Sequence, residues 1–196
     1  VLVAFSGGKD SGVCLNLCYD YAKEHSMLHK LAMYHLDYEA QYQMTTDYVT
    51  ETFEQFNDIK RYWLCLPVGA DCGCRMDAGT WIPWEKSKED IWVRKMPDVE
   101  YLIDENNCPF QMYPGQQDYE VQDNFSKWYS KKFGNTAIVI GIRADESLNR
   151  YRAIVSDRKV NGYKDKNYIV SQNKSTHNAY IIYDWTVSDI WTYNSK

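Results

Sequence analysis

The chain has no apolar run approaching the ~20 residues of a membrane span, and no signal peptide is visible. A membrane role is set aside on that ground, and a cytoplasmic protein is expected. Its 22 Lys and Arg fall short of its 27 Asp and Glu, leaving a formal net charge of −5. Broad, nonspecific nucleic-acid binding needs a surplus of Lys and Arg to replace counterions, so that class is disfavoured. A local basic patch is still open, and nucleic acid stays unproven as a partner. No cysteine follows Cys108, and at 196 residues the chain is long enough to build a core without disulfide staples. There is no initiator methionine, and an apolar strand is already under way at Val1, so the sequence reads as a piece of a longer protein cut at one end or both.

What is present is soluble-enzyme composition: 44% hydrophobic, 25% charged, and 15% aromatic, with seventeen Tyr and seven Trp. Most of those rings belong in a core or an interface, and a base-stacking surface is a second use for them. Val1 to Phe5 reads as a short buried strand cut off by glycines. It turns through Ser6, Gly7, Gly8 and Lys9 into a helix carrying Asp10 and Ser11, whose apolar stripe takes Val13 or Cys14, Leu17 or Cys18, and Tyr21 or Ala22. Two glycines let backbone N–H groups approach an anion, and the new helix aims its unpaired N–H groups and positive dipole end at the same place. Lys9 adds a mobile charge. The loop is too short for a Walker phosphate loop, which needs four residues between its first glycine and the Gly-Lys pair.

Further strands are expected at 31–36, 61–68 and 136–142, with a helix at 42–57. Strands alternating with helices imply a parallel, twisted α/β sheet with helices on both faces, and ligands in such sheets sit beyond the carboxyl ends of the strands. The polar candidates fall there: Ser6 to Ser11 after the first strand, His35 to Glu39 after the second, and Gly141 to Arg152 after the later one. Residues 69–118 interrupt the alternation and read as an aromatic-rich insertion in a single domain spanning 1–196. Trp81, Trp84 and Trp92 could form a lid over the crevice or a surface subdomain that covers a sheet edge or joins a partner. Its Arg75, Lys86, Lys88, Arg94 and Lys95 are offset by Asp71, Asp77, Glu85, Glu89 and Asp90. The lysine-rich segment 157–174 reads as a solvated mobile loop, with a partner contact as the other reading.

The segment GIRADESLNRYR brings Arg143, Glu146, Ser147 and Arg150 behind a strand end, and guanidinium groups bind phosphate or sulfate oxygens bidentately. The plainer reading is that Arg143 or Arg150 pairs with Asp145 or Glu146. In IIYDWTVSDIWTY a strand would lead to Trp185, Thr186 or Ser188 would cap a helix, and Ile190 with Trp191 would pack it.

SGGKDS after a first strand resembles the signature of the PP-loop ATP pyrophosphatases, of adenine nucleotide alpha hydrolase-like fold. The Arg143 to Arg150 segment and the Trp185, Asp189, Trp191 element resemble the phosphoadenosine phosphosulfate (PAPS) reductases of that superfamily, in the family's order. The resemblance implies that ATP or PAPS is held by Ser6, Gly7, Gly8, Lys9, Asp10 and Ser11, with His35, Asp37, Gly141, Arg143, Glu146, Ser147 and Arg150 completing the site. Backbone around Tyr34 to Asp37 would take the adenine or ribose. Lys9, Asp10 and Arg143 are the catalytic candidates, with Mg²⁺ if ATP is used and Asp10 orienting it. The family's reductases attack sulfur with a thiolate on a C-terminal tail, which is lacking after Cys108. A thiol donor or a partner protein would then complete a reduction, and a noncatalytic nucleotide sensor or DNA-modification partner is the alternative. Cys14 and Cys18 read as core. Cys65, Cys72, Cys74 and Cys108 are weak candidates for a metal, because a CxC pair with scattered partners fits zinc spacing poorly. The tryptophan-rich insertion makes a homo-oligomer the expected state.

Overall fold

A computed structural model describes residues 1–73, 79–155, 162–163 and 166–195. The opening apolar run forms β1 (Leu2–Ala4), and the glycine turn leads into α1 (Lys9–Glu24). Next come β2 (Ala32–Leu36), α2 (Gln43–Gln55) and β3 (Lys60–Leu64), each somewhat shorter than its expected span. A hairpin of β4 (Ala70–Asp71) and β5 (Thr80–Trp81) precedes a 3₁₀ turn at Lys86–Ile91 and then β6 (Leu102–Ile103). The chain continues through α3 (Asp118–Phe133), β7 (Thr136–Ile140), α4 (Leu148–Val155), β8 (Gly162–Tyr163), β9 (Lys166–Ser171), β10 (Thr176–Ala179) and α5 (Val187–Asn194).

The main sheet has eight strands in the order β6-β3-β2-β1-β7-β10-β9-β8. From β6 to β10 neighbours run parallel, while β9 is antiparallel to β10, and β8 to β9. Alternate residues of each strand feed opposite cores. On one face Val3, Met33, Trp63 and Val139 pack with Val13 and Cys14 of α1, Val49 and Phe53 of α2, and Ile190 of α5. On the other, Leu2, Ala32, Tyr34, Leu64 and Ile138 pack against Val121, Phe125 and Tyr129 of α3. The protein is therefore an α/β fold with helices on both faces of a mostly parallel sheet. Strands are added outward from β1 through β2, β3 and β6, and the chain then crosses the opposite face in α3 to place β7 on the other side of β1. This reversal makes the carboxyl ends of β1 and β7 the topological switch point, where such sheets bind ligands.

The insertion 69–118 contributes an edge strand to the sheet: β6 pairs with β3 through Trp63↔Leu102 and Leu64↔Ile103, because an exposed parallel edge offers unpaired N–H and C=O groups. Two expectations need correction. The 157–174 segment is no simple loop, since Lys166–Ser171 is a full strand of the sheet; residues 156–161 and 164–165 lie outside the described residues, as do Cys74, Arg75 and Asp77. Finally, Ile181 to Asp184 is a turn rather than a strand. The helix after it forms as expected: Thr186 caps α5 by accepting from the Asp189 N–H, and the Asp189 carboxylate accepts from the Thr186 N–H in return, a capping box. Ile190 is buried beneath it, but Trp191 points out at 59% exposure.

Candidate functional site

The Ser6 to Ser11 turn is held by its own hydroxyls. Ser11 Oγ donates to the Gly8 carbonyl (2.9 Å), accepts from the Ser6 N–H (3.2 Å) and lies 3.0 Å from Ser6 Oγ. Since the Ser11 proton is used on Gly8, the Ser6 hydroxyl donates in that last contact. Gly7 has φ +78°, and a Cβ there would lie 2.8 Å from Val49 Cγ2, so both conformation and space demand glycine. Gly8 is the N-cap of α1 and offers no side-chain cap, which leaves the N–H groups of the first turn without an intrahelical or capping acceptor. Gly141 sits where β7 passes under that turn; its Cβ would meet Ser11 N at 2.9 Å and the Asp10 carbonyl carbon at 3.0 Å.

Beside the turn lies a crevice of about 370 Å³ at the switch point. Of the expected site residues, Ser6, Gly8, Asp10, Ser11, Gly141, Glu146 and Arg150 line it together. For its other wall the sequence pointed only to the backbone around Tyr34 to Asp37; the wall is formed by Tyr34, Leu36 and Tyr38 at and just after the end of β2, Ile140 and Ile142 at and just after the end of β7, and Gln122 from α3. Tyr34 Oη donates to Gln122 Oε1 (3.0 Å), and Tyr38 Oη donates to Asp118 Oδ2 (2.6 Å). Burial pushes both phenols well above the usual tyrosine range, with the Asp118 contact adding to the shift at Tyr38, so both stay protonated as donors. One side of the crevice is thus polar and rich in N–H groups, and the other is aromatic and aliphatic.

The charged groups around the turn are mutually paired. Lys9 Nζ reaches Asp10 Oδ2 at 2.8 Å. Arg143 is buried, with Nε on Asp10 Oδ1 (2.9 Å), Nη1 on Asp145 and Nη2 3.7 Å from Glu146. Arg150 pairs with Glu146 in turn. The plainer reading of these arginines therefore describes the geometry, and Arg143 works as a bracket between α1 and the 143–146 turn. Ser147 does not line the crevice; its Oγ accepts from the Arg150 N–H (3.2 Å). Asp10 and Glu146 both line the crevice, with their carboxylates engaged by Lys9, Arg143 and Arg150.

His35 and Asp37 are corrections, since their side chains do not line the crevice. Period-two alternation turns Tyr34, Leu36 and Tyr38 toward it and sends His35, Asp37 and Glu39 to the opposite face. His35 is 1% exposed, with Nδ1 2.9 Å from the Phe5 carbonyl, and burial holds its pKa below the usual value of 6.5. Asp37 is fully buried: it receives Arg94 Nη2 on both oxygens at 2.5 Å, and Trp63 Nε1 donates to it at 2.7 Å. Glu39, at φ +63°, accepts from the backbone N–H groups of Trp84 (2.9 Å) and Val93 (3.0 Å). These carboxylates strap the insertion to the sheet. Trp84, 1% exposed, donates from Nε1 to the Asp37 carbonyl and packs edge-on with Trp92 at 5.1 Å; it is core rather than a lid. A larger cavity of about 660 Å³ lies against that insertion, away from the turn, between Trp92, Arg94 and Asp104.

Among the described residues no group of three or more His, Cys, Asp or Glu is placed to hold a metal. Cys65 is buried beside Asp37, Cys108 donates to the Phe110 carbonyl, Cys72 follows the β4 strand, and none of the three meets another. Cys14 and Cys18 are buried and half-buried on α1, as expected. No described cysteine lines the crevice. Among the described residues, no helix is long and apolar enough to cross a membrane.

No family model matches the chain. It is similar to Uncharacterized protein YbdN of Escherichia coli (strain K12), 37% identical over 197 residues that cover 98% of this chain and 47% of that protein. The chain thus spans about half the length of the curated relative it matches.

Proposed function

We propose that this chain is a PP-loop, PAPS reductase-like domain that binds an adenine nucleotide in the crevice between β1 and β7, within an adenine nucleotide alpha hydrolase-like fold. The observation that carries the reading is the joining of an uncapped helix N-terminus, a positive-φ glycine turn and an apolar wall at the topological switch point. In this reading the N–H groups of the first turn of α1 take the phosphate oxygens. Lys9 exchanges Asp10 for a phosphate, and Arg150 leaves Glu146 to meet the distal anion. Arg143 acts by fixing Asp10. With ATP, bound Mg²⁺ would supply charge neutralisation on the phosphates, held near Asp10 or Glu146. Catalysis is then positioning and electrostatic stabilisation as an acceptor is adenylated and pyrophosphate departs.

One observation ranks the chemistries. Because none of the described cysteines lines the crevice, a thiol for PAPS reduction must come from a partner or from chain outside the described residues, so ATP chemistry is the first choice and PAPS reduction the second. A nucleotide sensor that keeps the pocket without turnover fits the pairing of every charged group at the turn. Isothermal titration with ATP and with PAPS, each with and without Mg²⁺, tests the proposal. Binding of either at one site supports it, and binding of neither sinks it. Pyrophosphate release on mixing with ATP would then count against the sensor.

A further inference from the structure

The cavity of about 660 Å³ against the insertion shares no lining residue with the crevice. Its Trp84, Trp92 and Met96 belong to the core on the α1 and α2 face of the sheet, whereas Tyr34, Leu36, Tyr38 and Ile140 of the crevice belong to the core on the other face. Its volume lies within the roughly 300–1,000 Å³ of ordinary small-molecule sites. The floor is neutral, because burial and the neighbouring Asp37 carboxylate keep the Cys65 thiol protonated. Arg94 is held from three sides: Nε donates to the Glu39 carbonyl (3.2 Å), Nη2 donates to both Asp37 oxygens (2.5 Å), and the guanidinium lies over the Trp84 ring, 5.0 Å from its centre. Among the described residues Nη1 has no hydrogen-bond partner, and the Arg94 side chain remains 16% exposed. A planar guanidinium fixed in this way is a preorganised donor for a carboxylate. Its charge is already balanced by Asp37, and Glu89, Asp104 and Glu105 outnumber Lys86 and Lys95 on the walls, so a polyanion is disfavoured.

Asp104, just after the end of β6, supplies the opposite charge. Its carboxylate is oriented by the Asn106 N–H (2.9 Å), the Asn107 N–H (3.1 Å) and Asn106 Nδ2 (2.9 Å), all of which donate to it. An ionised carboxylate has roughly four acceptor sites, so one is left for a cation. We propose that this cavity is a second small-molecule site, which takes an α-amino acid with a bulky apolar side chain. Its carboxylate meets Arg94 Nη1, its ammonium meets Asp104, and its side chain packs on Trp92 and Met96. A ligand carrying only one of the two charges leaves Arg94 or Asp104 unmatched, which is the basis of selectivity for a zwitterion. The site stands on its own observations and does not depend on the nucleotide reading.

Saturation-transfer NMR and calorimetry with L-phenylalanine, L-methionine and L-leucine test the site on the parent chain. The N-acetyl derivative and the carboxamide of each amino acid that binds remove one charge at a time. Arg94→Lys keeps a cation beside Asp37 but loses Nη1, and Asp104→Asn keeps Oδ1 as the acceptor for the Asn106 and Asn107 N–H groups but loses the charge. The expected result is saturable binding of at least one of the three below about 10 mM, with both derivatives at least about tenfold weaker. Arg94→Lys should weaken the amino acid about tenfold and leave the carboxamide unaltered, while Asp104→Asn weakens the amino acid and leaves the N-acetyl derivative unaltered. Far-UV circular dichroism checks that each variant folds, and if Arg94→Lys does not, Asp104→Asn and the derivatives decide. No saturable binding of any of the three overturns the site. So does a derivative that binds as tightly as its parent amino acid, or binding that folded variants leave unchanged.

Discussion

Replacing Gly141 by alanine tests the claim that β7 is pressed against the first turn of α1. A Cβ at Gly141 would lie 2.9 Å from Ser11 N, 3.0 Å from the Asp10 carbonyl carbon and 3.1 Å from its oxygen. All three neighbours are backbone atoms of a helix held by Arg143 and Ser11, so relief requires the helix start to move by several tenths of an ångström. Overpacking of this kind costs about 1–3 kcal/mol. Gly12→Ala is the matched control. Its new Cβ would come within 2.9 Å of an atom too, but that atom is the hydroxyl of Tyr48, a 42% exposed side chain that can swing away. Gly12 lies inside α1, where alanine is favoured over glycine by up to about 1 kcal/mol. Urea unfolding should therefore lower the midpoint for Gly141→Ala and leave Gly12→Ala unchanged or raised. In thermal melts each kcal/mol corresponds to roughly 2–4 °C at this size. Equal stability of Gly141→Ala and the parent, within about 0.5 kcal/mol, would refute the close approach. The opposite ranking of the two variants would refute the reasoning about which neighbours can yield.

Three other outcomes follow from the buried groups. Asp37→Ala strands the Arg94 guanidinium and should cost about 3–5 kcal/mol in denaturant unfolding, and Asp37→Ala with Arg94→Met should cost less than the sum of the two single changes. His35 is held neutral by burial, so the unfolded chain takes up its proton first as pH falls below about 6.5; stability should decline between pH 7 and 5.5 by at most ~1.4 kcal/mol per pH unit from this group, and less steeply in His35→Gln. Burial pushes the Cys14 thiol up to about 12 and raises Cys65 well above the usual thiol range, so mass spectrometry after iodoacetamide at pH 8 should find both unlabelled in the folded chain and labelled in urea. Rapid labelling of Cys14 under native conditions would contradict the packing of α1 on the sheet.

The turn after β1 was legible because its signal is local: glycines at fixed offsets between an apolar run and a helical stripe dictate their own conformation. The wall opposite was not, since Tyr34 meets Gln122 and Tyr38 meets Asp118 only when α3 packs on the sheet, across 88 and 80 positions of sequence. 

Neither pairing has a local signal. The nearest hint is that Asp118 and Gln122 stand four apart on α3, beside its apolar stripe of Val121, Phe125 and Tyr129.

His35 and Asp37 were misplaced for a simpler reason. Their polarity at a strand end suggested a ligand, but strand parity sends them to the face opposite Tyr34 and Tyr38, where Arg94 and Trp63 satisfy Asp37. Arg94 lies 57 positions further on, inside the segment whose alternation was least regular. The edge strand β6 was hidden because only Leu102 and Ile103 form it, too few residues to show a period.

The central claim is that the turn after β1 holds an adenine nucleotide, and amide chemical shifts of the labelled chain on adding Mg²⁺-ATP test it most directly. The account predicts saturable shifts concentrated at Ser6 to Gly12 and Gly141, extending to Gln122. Shifts confined to the insertion around Trp92 and Arg94, or none at saturating ATP, would contradict it.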